Sequence, residues 1–223
     1  MSKQGRNWTA AMAGLVVFAG AAAGSDAIFD NITAEAGGFL PVTPFDPTLA
    51  IVDDLIVDGG GELQDLTFTY SYAGAGFGIP TVAGLDVEVV LALDNGDGVF
   101  NPIDESPLFI GSVTNLSAEL NVVKTHTLAL PGGIQVADGS TIWFATTYAP
   151  QVTNFLNWGQ ALYNDRTLGS SDANVYTYDF ATNALSTSSY SAGEGLGAVL
   201  TVTPAPASVL ALAPLGLALR RRR

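Results

Sequence analysis

The fold is predicted best by the stretch Leu66-Thr67-Phe68-Thr69-Tyr70-Ser71-Tyr72, in which large apolar or aromatic side chains alternate with hydroxyl side chains. Successive side chains of a β-strand point to opposite faces of the sheet, so this alternation indicates a strand with one buried face. Residues 86–93 repeat the period of two, with Asp86 and Glu88 on the face opposite Val87, Val89, Leu91 and Leu93.

Strand-like runs of this kind continue along the chain. Six more of them cover residues 48–57, 108–113, 120–130, 141–148, 174–180 and 197–203, and clusters of Gly, Pro, Asp and Asn separate them. No central segment has a helical stripe. The pattern therefore predicts one all-β domain over residues 24–203, a β-sandwich of jelly-roll type.

Residues 1–23 have the pattern of a secretory signal peptide. Lys3 and Arg6 precede an apolar, small-residue run over residues 10–23, and Ala21-Ala22-Ala23 matches an A-x-A cleavage site. We therefore expect a helical signal that directs export and is removed by signal peptidase.

A second short apolar run covers residues 209–219. Eleven apolar residues rise about 16 Å as a helix, about half the hydrocarbon core of a bilayer, and Pro214 weakens that helix. The arginines that follow favour the cytoplasmic side, so we expect a short helix that stops transiently in the inner membrane. A simple tail anchor is the alternative. The whole C-terminal segment, residues 204–223, consists of a Pro-Ala motif, the apolar run and an arginine cluster. The motif is Pro204, Ala205, Pro206, Ala207 and Ser208, and the cluster is Arg220, Arg221, Arg222 and Arg223.

This arrangement resembles the PEP-CTERM sorting segment, which combines a Pro-Glu-Pro motif, a short apolar stretch and an arginine cluster. Ala205 stands where that family usually has Glu, so residues 204–223 resemble a Pro-Ala-Pro variant. The resemblance implies cleavage by an exosortase-like enzyme and a destination at the cell envelope, the outer surface or the extracellular matrix. Residues 94–98, 138–143 and 168–171 are also similar to the β-sandwich domains found before such tails.

The net charge of the expected domain limits the classes of molecule that can bind it. All 21 acidic residues lie between Asp26 and Glu194, and of the basic residues only Lys124 and Arg166 lie there, so two positive against 21 negative charges give a formal net charge of −19. Such a charge repels phosphate backbones, which excludes nucleic acid, and leaves cations or neutral polymers such as polysaccharides as compatible partners. The chain has no cysteine, so disulfides cannot stabilise it.

The clearest candidate for a metal site is Asp94-Asn95-Gly96-Asp97-Gly98-Val99-Phe100-Asn101-Pro102-Ile103-Asp104-Glu105, which resembles the calcium loop of dockerin or thrombospondin-type repeats. Ca²⁺ takes six to eight oxygen ligands from a Gly-turned loop of twelve residues. With Gly98 as the sixth residue, the expected ligands are Asn95, Asp97, Asn101 and Asp104, while Asp94 is displaced by one residue from the first position. The alternative is a long hairpin turn in which these side chains serve only the backbone.

Signals for catalysis are weak in this sequence. His126, the single histidine, lies in an alternating strand where a surface or boundary role is expected, and no nucleophile elbow, zinc helix or phosphate loop occurs. Asp53 and Asp54, with Asp58, are expected to mark a soluble strand edge, and a second acidic metal cluster is the alternative. We therefore expect no enzyme activity, although a hydrolase that needs only two carboxylates stays open.

Aromatic residues are concentrated in the C-terminal half of the domain. Most alternate as core residues do, whereas Trp158 and Tyr163 lie in a loop-like stretch, residues 157–166, and are the candidates for stacking on sugar rings. The expected function is that of an exported, non-enzymatic surface or extracellular-matrix protein. A carbohydrate-binding module, with or without calcium, is the first alternative, and a polysaccharide hydrolase is the second.

Overall fold

The computed structural model describes residues 25–32, 36–42, 49–73, 81–119, 121–150, 157–163, 168–171, 174–187 and 195–204. The expected signal peptide lies outside these residues, as does the expected sorting segment except for Pro204, which is the last residue of the final strand. Among the described residues, no helix has the length and apolar character that a membrane crossing requires.

The described residues are organised in strands. These are β1 (Asp26–Asp30), β2 (Ala36–Val42), β3 (Leu49–Ile56), β4 (Gly61–Ala73), β5 (Thr81–Leu93), β6 (Ser106–Glu119), β7 (Lys124–Ala129), β8 (Gln135–Val136), β9 (Thr141–Pro150), β10 (Asn157–Tyr163), β11 (Tyr176–Asp179), β12 (Ala184–Thr187), β13 (Gly195–Leu196) and β14 (Ala198–Pro204).

Two antiparallel sheets face each other as a β-sandwich. The first contains the order β1-β14-β4-β7, and the second contains the order β3-β9-β5-β6. When these eight strands are counted along the chain, the orders are first-eighth-third-sixth and second-seventh-fourth-fifth, which is the winding of a jelly roll. The all-β sandwich expected from the sequence is therefore confirmed.

Strand β4 shows how the alternating sequence fills the space between the sheets. Leu66, Phe68 and Tyr70 are buried in the core, as the period of two requires. Leu63 is also buried although it stands three residues before Leu66, because the pairing with β14 skips Gln64. Such a β-bulge shifts the strand by one residue and returns the next apolar side chain to the same face.

A second apolar cluster lies on the opposite, outer face of the β3-β9-β5-β6 sheet. Phe100, Trp143 and Tyr178 pack there over a floor of small side chains, with ring centroids 5.9 Å apart for the first pair and 5.3 Å apart for Phe100 and Tyr178. The floor consists of Ala50, Val52, Ala92 and Ala145. Since Phe100 belongs to the segment between β5 and β6, this cluster holds that segment against the sheet.

Two expectations drawn from the sequence are wrong. Residues 157–163, expected in a loop, form β10, which pairs with β2 on one side and with β4 and β13 on the other. The pair Asp53 and Asp54, expected to mark a soluble sheet edge, lies on β3 opposite Phe144 and Trp143 of β9, and both residues are buried. The Asp53 carboxylate instead accepts a hydrogen bond of 2.7 Å from the backbone N–H of Leu196.

Candidate functional site

The acidic loop, residues 94–105, connects β5 to β6. Its first residue is fixed to the start of β9 by a backbone hydrogen bond of 3.0 Å from Asp94 N–H to the Thr141 carbonyl. The indole Nε1–H of Trp143 donates a further bond of 3.3 Å to Asp94 Oδ1. With Phe100 buried to 1% exposure, the loop is anchored at its start and at its middle.

Within the loop, polar side chains hold the backbone in a series of tight turns. Asn95 Oδ1 accepts the N–H of Asp97, and Asp97 Oδ1 accepts the N–H of Val99, each at 2.9 Å. Gly96 and Gly98 both have positive φ, 96° and 70°, a conformation that glycine adopts without strain. These bonds agree with the backbone-serving role that the sequence left as an alternative, and they also leave other carboxylate oxygens of the loop uncommitted.

Three carboxylates converge where the two ends of the loop meet. Asp94, Asp97 and Glu105 each place one oxygen within 4.8 Å of the others, close enough to share one metal ion. Asp94 and Asp97 were predicted as ligands from the sequence, whereas Glu105 was not. The twelve-residue template ended at Asp104, so only the fold, which returns the chain to Asp94, shows the contribution of Glu105.

Glu105 is the least usual member of the cluster. Its side chain is 5% exposed, Oε2 accepts the N–H of Asn95 at 2.9 Å, and Oε1 is buried with no hydrogen-bond partner. Burial, reinforced by the negative charge of Asp94, raises the pKa of this carboxyl above its ordinary value, although the bond from Asn95 opposes the shift. A buried carboxylate oxygen without a partner is costly unless a proton or a cation satisfies it.

Asn101 and Asp104, two further ligands predicted from the sequence, lie beside the cluster and bind each other. Asn101 Nδ2 donates to Asp104 Oδ2 at 2.5 Å, and Asn101 Oδ1 accepts the N–H of Ile103 at 3.2 Å. Both residues are part of the turn that brings Glu105 back to Asp94. The negative charge of Asp104 also contributes to the raised pKa of Glu105.

A groove of about 410 Å³ lies beside the acidic loop on the outer face of the sheet. Its lining is largely apolar and includes Val90, Ile110 and Phe180, and Glu88 and Glu105 also line it. Because Glu105 belongs to both the groove and the carboxylate cluster, a molecule in the groove would lie next to a bound cation.

The other residues singled out in the sequence lie away from this loop. Tyr163 is 5% exposed on β10, so its ring is a core side chain and not a surface for stacking on sugars. The structure places the backbone of Trp158 on the same strand. His126 lies on β7 with its ring 5.8 Å from that of Phe68, in agreement with the boundary role expected for it.

No protein-family model matches this chain, and no curated protein matches it.

Proposed function

We propose that this chain is an exported, non-enzymatic protein of the cell surface or extracellular matrix, and that its domain binds Ca²⁺ in the acidic loop. The observation that carries the calcium site is the convergence of Asp94, Asp97 and Glu105 within 4.8 Å, together with the buried, unpartnered Oε1 of Glu105. A cation satisfies that oxygen and removes the mutual repulsion of the three charges.

Calcium fits this group of ligands better than other common metals. All the donors are hard oxygens, with no cysteine in the chain and no histidine in the loop, which disfavours zinc and copper. Ca²⁺ tolerates irregular geometry and takes water as a ligand, whereas Mg²⁺ demands an octahedron at short distances. Asp97 is exposed, so water can complete the coordination from the solvent side.

The binding test compares the wild-type protein with Asp97→Asn, which removes one charge from an exposed side chain and leaves the buried anchors intact. Calcium should raise the melting temperature of the wild type by several degrees, since a site occupied at 100 times its Kd adds about 2.7 kcal/mol. The variant should lose most of that shift, and Glu88→Gln, outside the cluster, should keep it. An equal shift with sodium at matched ionic strength would mean charge screening without a site.

The location belongs to the proposal through the two terminal segments. The signal pattern of residues 1–23 and the resemblance of residues 204–223 to PEP-CTERM tails support export, removal of the signal by signal peptidase, transient contact with the inner membrane and processing by an exosortase-like enzyme. Protein recovered from the host's surface should then lack Arg220–Arg223 by intact mass. Replacing the four arginines with serine should release uncut chain. An intact C-terminus on surface-exposed wild-type protein would contradict the sorting role.

Carbohydrate binding is the second candidate function. The groove beside the acidic loop is a better candidate for the sugar site than Trp158 and Tyr163, the two residues predicted from the sequence. Phe180 is 41% exposed at the side of the groove, so its ring is open to a sugar. Retention on a panel of polysaccharides should be lost in Phe180→Ala and kept in Trp158→Ala. Retention that is lost in Trp158→Ala and kept in Phe180→Ala would place the sugar site on β10 instead. Turnover of any polysaccharide that stops when one carboxylate is changed would refute the non-enzymatic proposal.

A further inference from the structure

The outer edge of the second sheet is formed by β6, the longest strand of the described fold. Within the described residues β6 pairs only with β5, so the backbone groups directed away from β5 have no strand beside them. Residues 106–118 carry no charged side chain, and Ile110 is 62% exposed. Natural proteins usually protect such an edge with charges, prolines or bulges, because an open edge pairs readily with another strand.

That protection lies toward the two ends of β6, and near the start the pairing with β5 skips Leu108, which indicates a β-bulge. Pro107, which has no N–H, lies at its start, and Asn115 has a positive φ of 60° at a break in the register with β5. The Asn115 N–H is bound by Asp86 Oδ1 at 2.8 Å. Residues 109–113 therefore form a regular open edge of five residues between two irregular, protected ends.

The charge distribution decides which partner fits this edge. The domain carries a net charge of −19, so two copies repel each other over most of their surfaces, and a basic partner finds no charged side chain to bind on residues 109–113. An uncharged strand with open backbone groups is the complementary partner, and β6 itself has this chemistry. The other described edge strands are shorter than the 14 residues of β6, since β2 has seven, β7 six, β1 five, β12 four, and β8 and β13 two each.

We propose that two copies of this chain associate through β6, pairing antiparallel about a two-fold axis near Gly111. Residues directly opposite in an antiparallel pair lie on the same face, so an axis at Gly111 places Ile110 opposite Ser112 of the second copy, on the outer face. The two sheets then become one continuous sheet. This interface is independent of the calcium site and of the location of the protein.

The absence of cysteine from the chain permits a direct test. A Ser112→Cys substitution in the full-length protein, treated in exporting cells with a short bis-maleimide, should give a covalent dimer, because each cysteine lies one residue from the axis at Gly111. Thr127→Cys, exposed on β7 at the edge of the other sheet, is the matched control and should stay monomeric. Equal cross-linking at both positions, or at neither, would overturn the proposal.

A charge placed on the edge should separate the copies. Adding Ile110→Glu to the Ser112→Cys protein should lower the dimer yield at least tenfold, because each copy then brings a negative charge close to the axis. Val123→Glu alters another exposed apolar residue, outside β6, and should leave the yield unchanged. A dimer yield that is insensitive to Ile110→Glu would show that the copies meet at another surface.

Discussion

Replacing Glu105 with glutamine should make the protein more stable without calcium and less stable than wild type with it. Glu105 is 5% exposed, and one of its carboxylate oxygens lies within 4.8 Å of one oxygen each of Asp94 and Asp97. Two unit charges at that distance repel by about 3 kcal/mol at an effective dielectric constant of about 20. Asp97 is screened by solvent, and the amide oxygen of glutamine still accepts the Asn95 N–H. We therefore expect a net gain of about 1–3 kcal/mol in the free energy of unfolding.

Calcium should reverse this order. The wild type gains about 4.1 kcal/mol at 1,000 times its Kd, which exceeds the variant's advantage in EDTA, whereas the variant lacks one of the three carboxylates and gains little. Urea unfolding in EDTA and in calcium, followed by circular dichroism, measures all four values. Glu88→Gln is the matched control, because Glu88 is exposed and lines the same groove outside the carboxylate cluster. A variant that is less stable than wild type in EDTA would refute the reasoning, since Glu105 would then stabilise the loop as a free carboxylate.

Three further predictions concern pH, the loop anchor and the buried polar core. In EDTA, the wild-type free energy of unfolding should fall more steeply than that of Glu105→Gln as the pH rises above about 4.5. The reason is that the raised pKa of Glu105 keeps a proton on the folded chain at pH values where the unfolded chain has already released it. Urea titrations that give parallel pH profiles for the two proteins would contradict this. Phe100→Ala should lower the free energy of unfolding by about 3–5 kcal/mol and weaken calcium binding measured by calorimetry. An unchanged affinity would show that the anchor does not shape the site. Asn31→Ala should lower the free energy of unfolding, measured in urea, by more than about 2 kcal/mol, because the buried Leu196 carbonyl and Ala198 N–H lose their hydrogen-bond partner. A smaller loss would mean that water replaces the Asn31 side chain.

The sandwich could be predicted from the sequence because its long strands carry their burial pattern in the side chains. In β5, for example, Val87, Val89 and Leu91 are all fully buried, as their alternation predicts. Strand β10 could not be predicted in this way. Its sequence Asn-Trp-Gly-Gln-Ala-Leu-Tyr has no period of two, and buried Gln160 accepts a bond from Thr146, so the tertiary pairing on both sides determines that strand.

The candidate site was predicted in part, for a related reason. Local spacing identifies Asp94 and Asp97, which lie three residues apart in one turn. Glu105 joins them only because Phe100 packs on Trp143 and the loop turns back on itself. Sequence spacing carries no information about that closure. The same limit applied to Asp53, whose burial depends on a backbone N–H more than a hundred residues away.

The pairing of β1 with β14 determines how the domain would respond to mechanical force. Asp26 lies opposite Val202, so the first and last strands begin and end at the same edge of the sandwich. Tension that separates the two ends of the domain would break the β1–β14 hydrogen bonds one after another, as in a zipper, and would release β1 first, because β14 is also bound to β4. A chain tethered only at its C-terminal end is not pulled apart between β1 and β14. Drag on the domain would then reach the tether through β14, which has a neighbouring strand on each side.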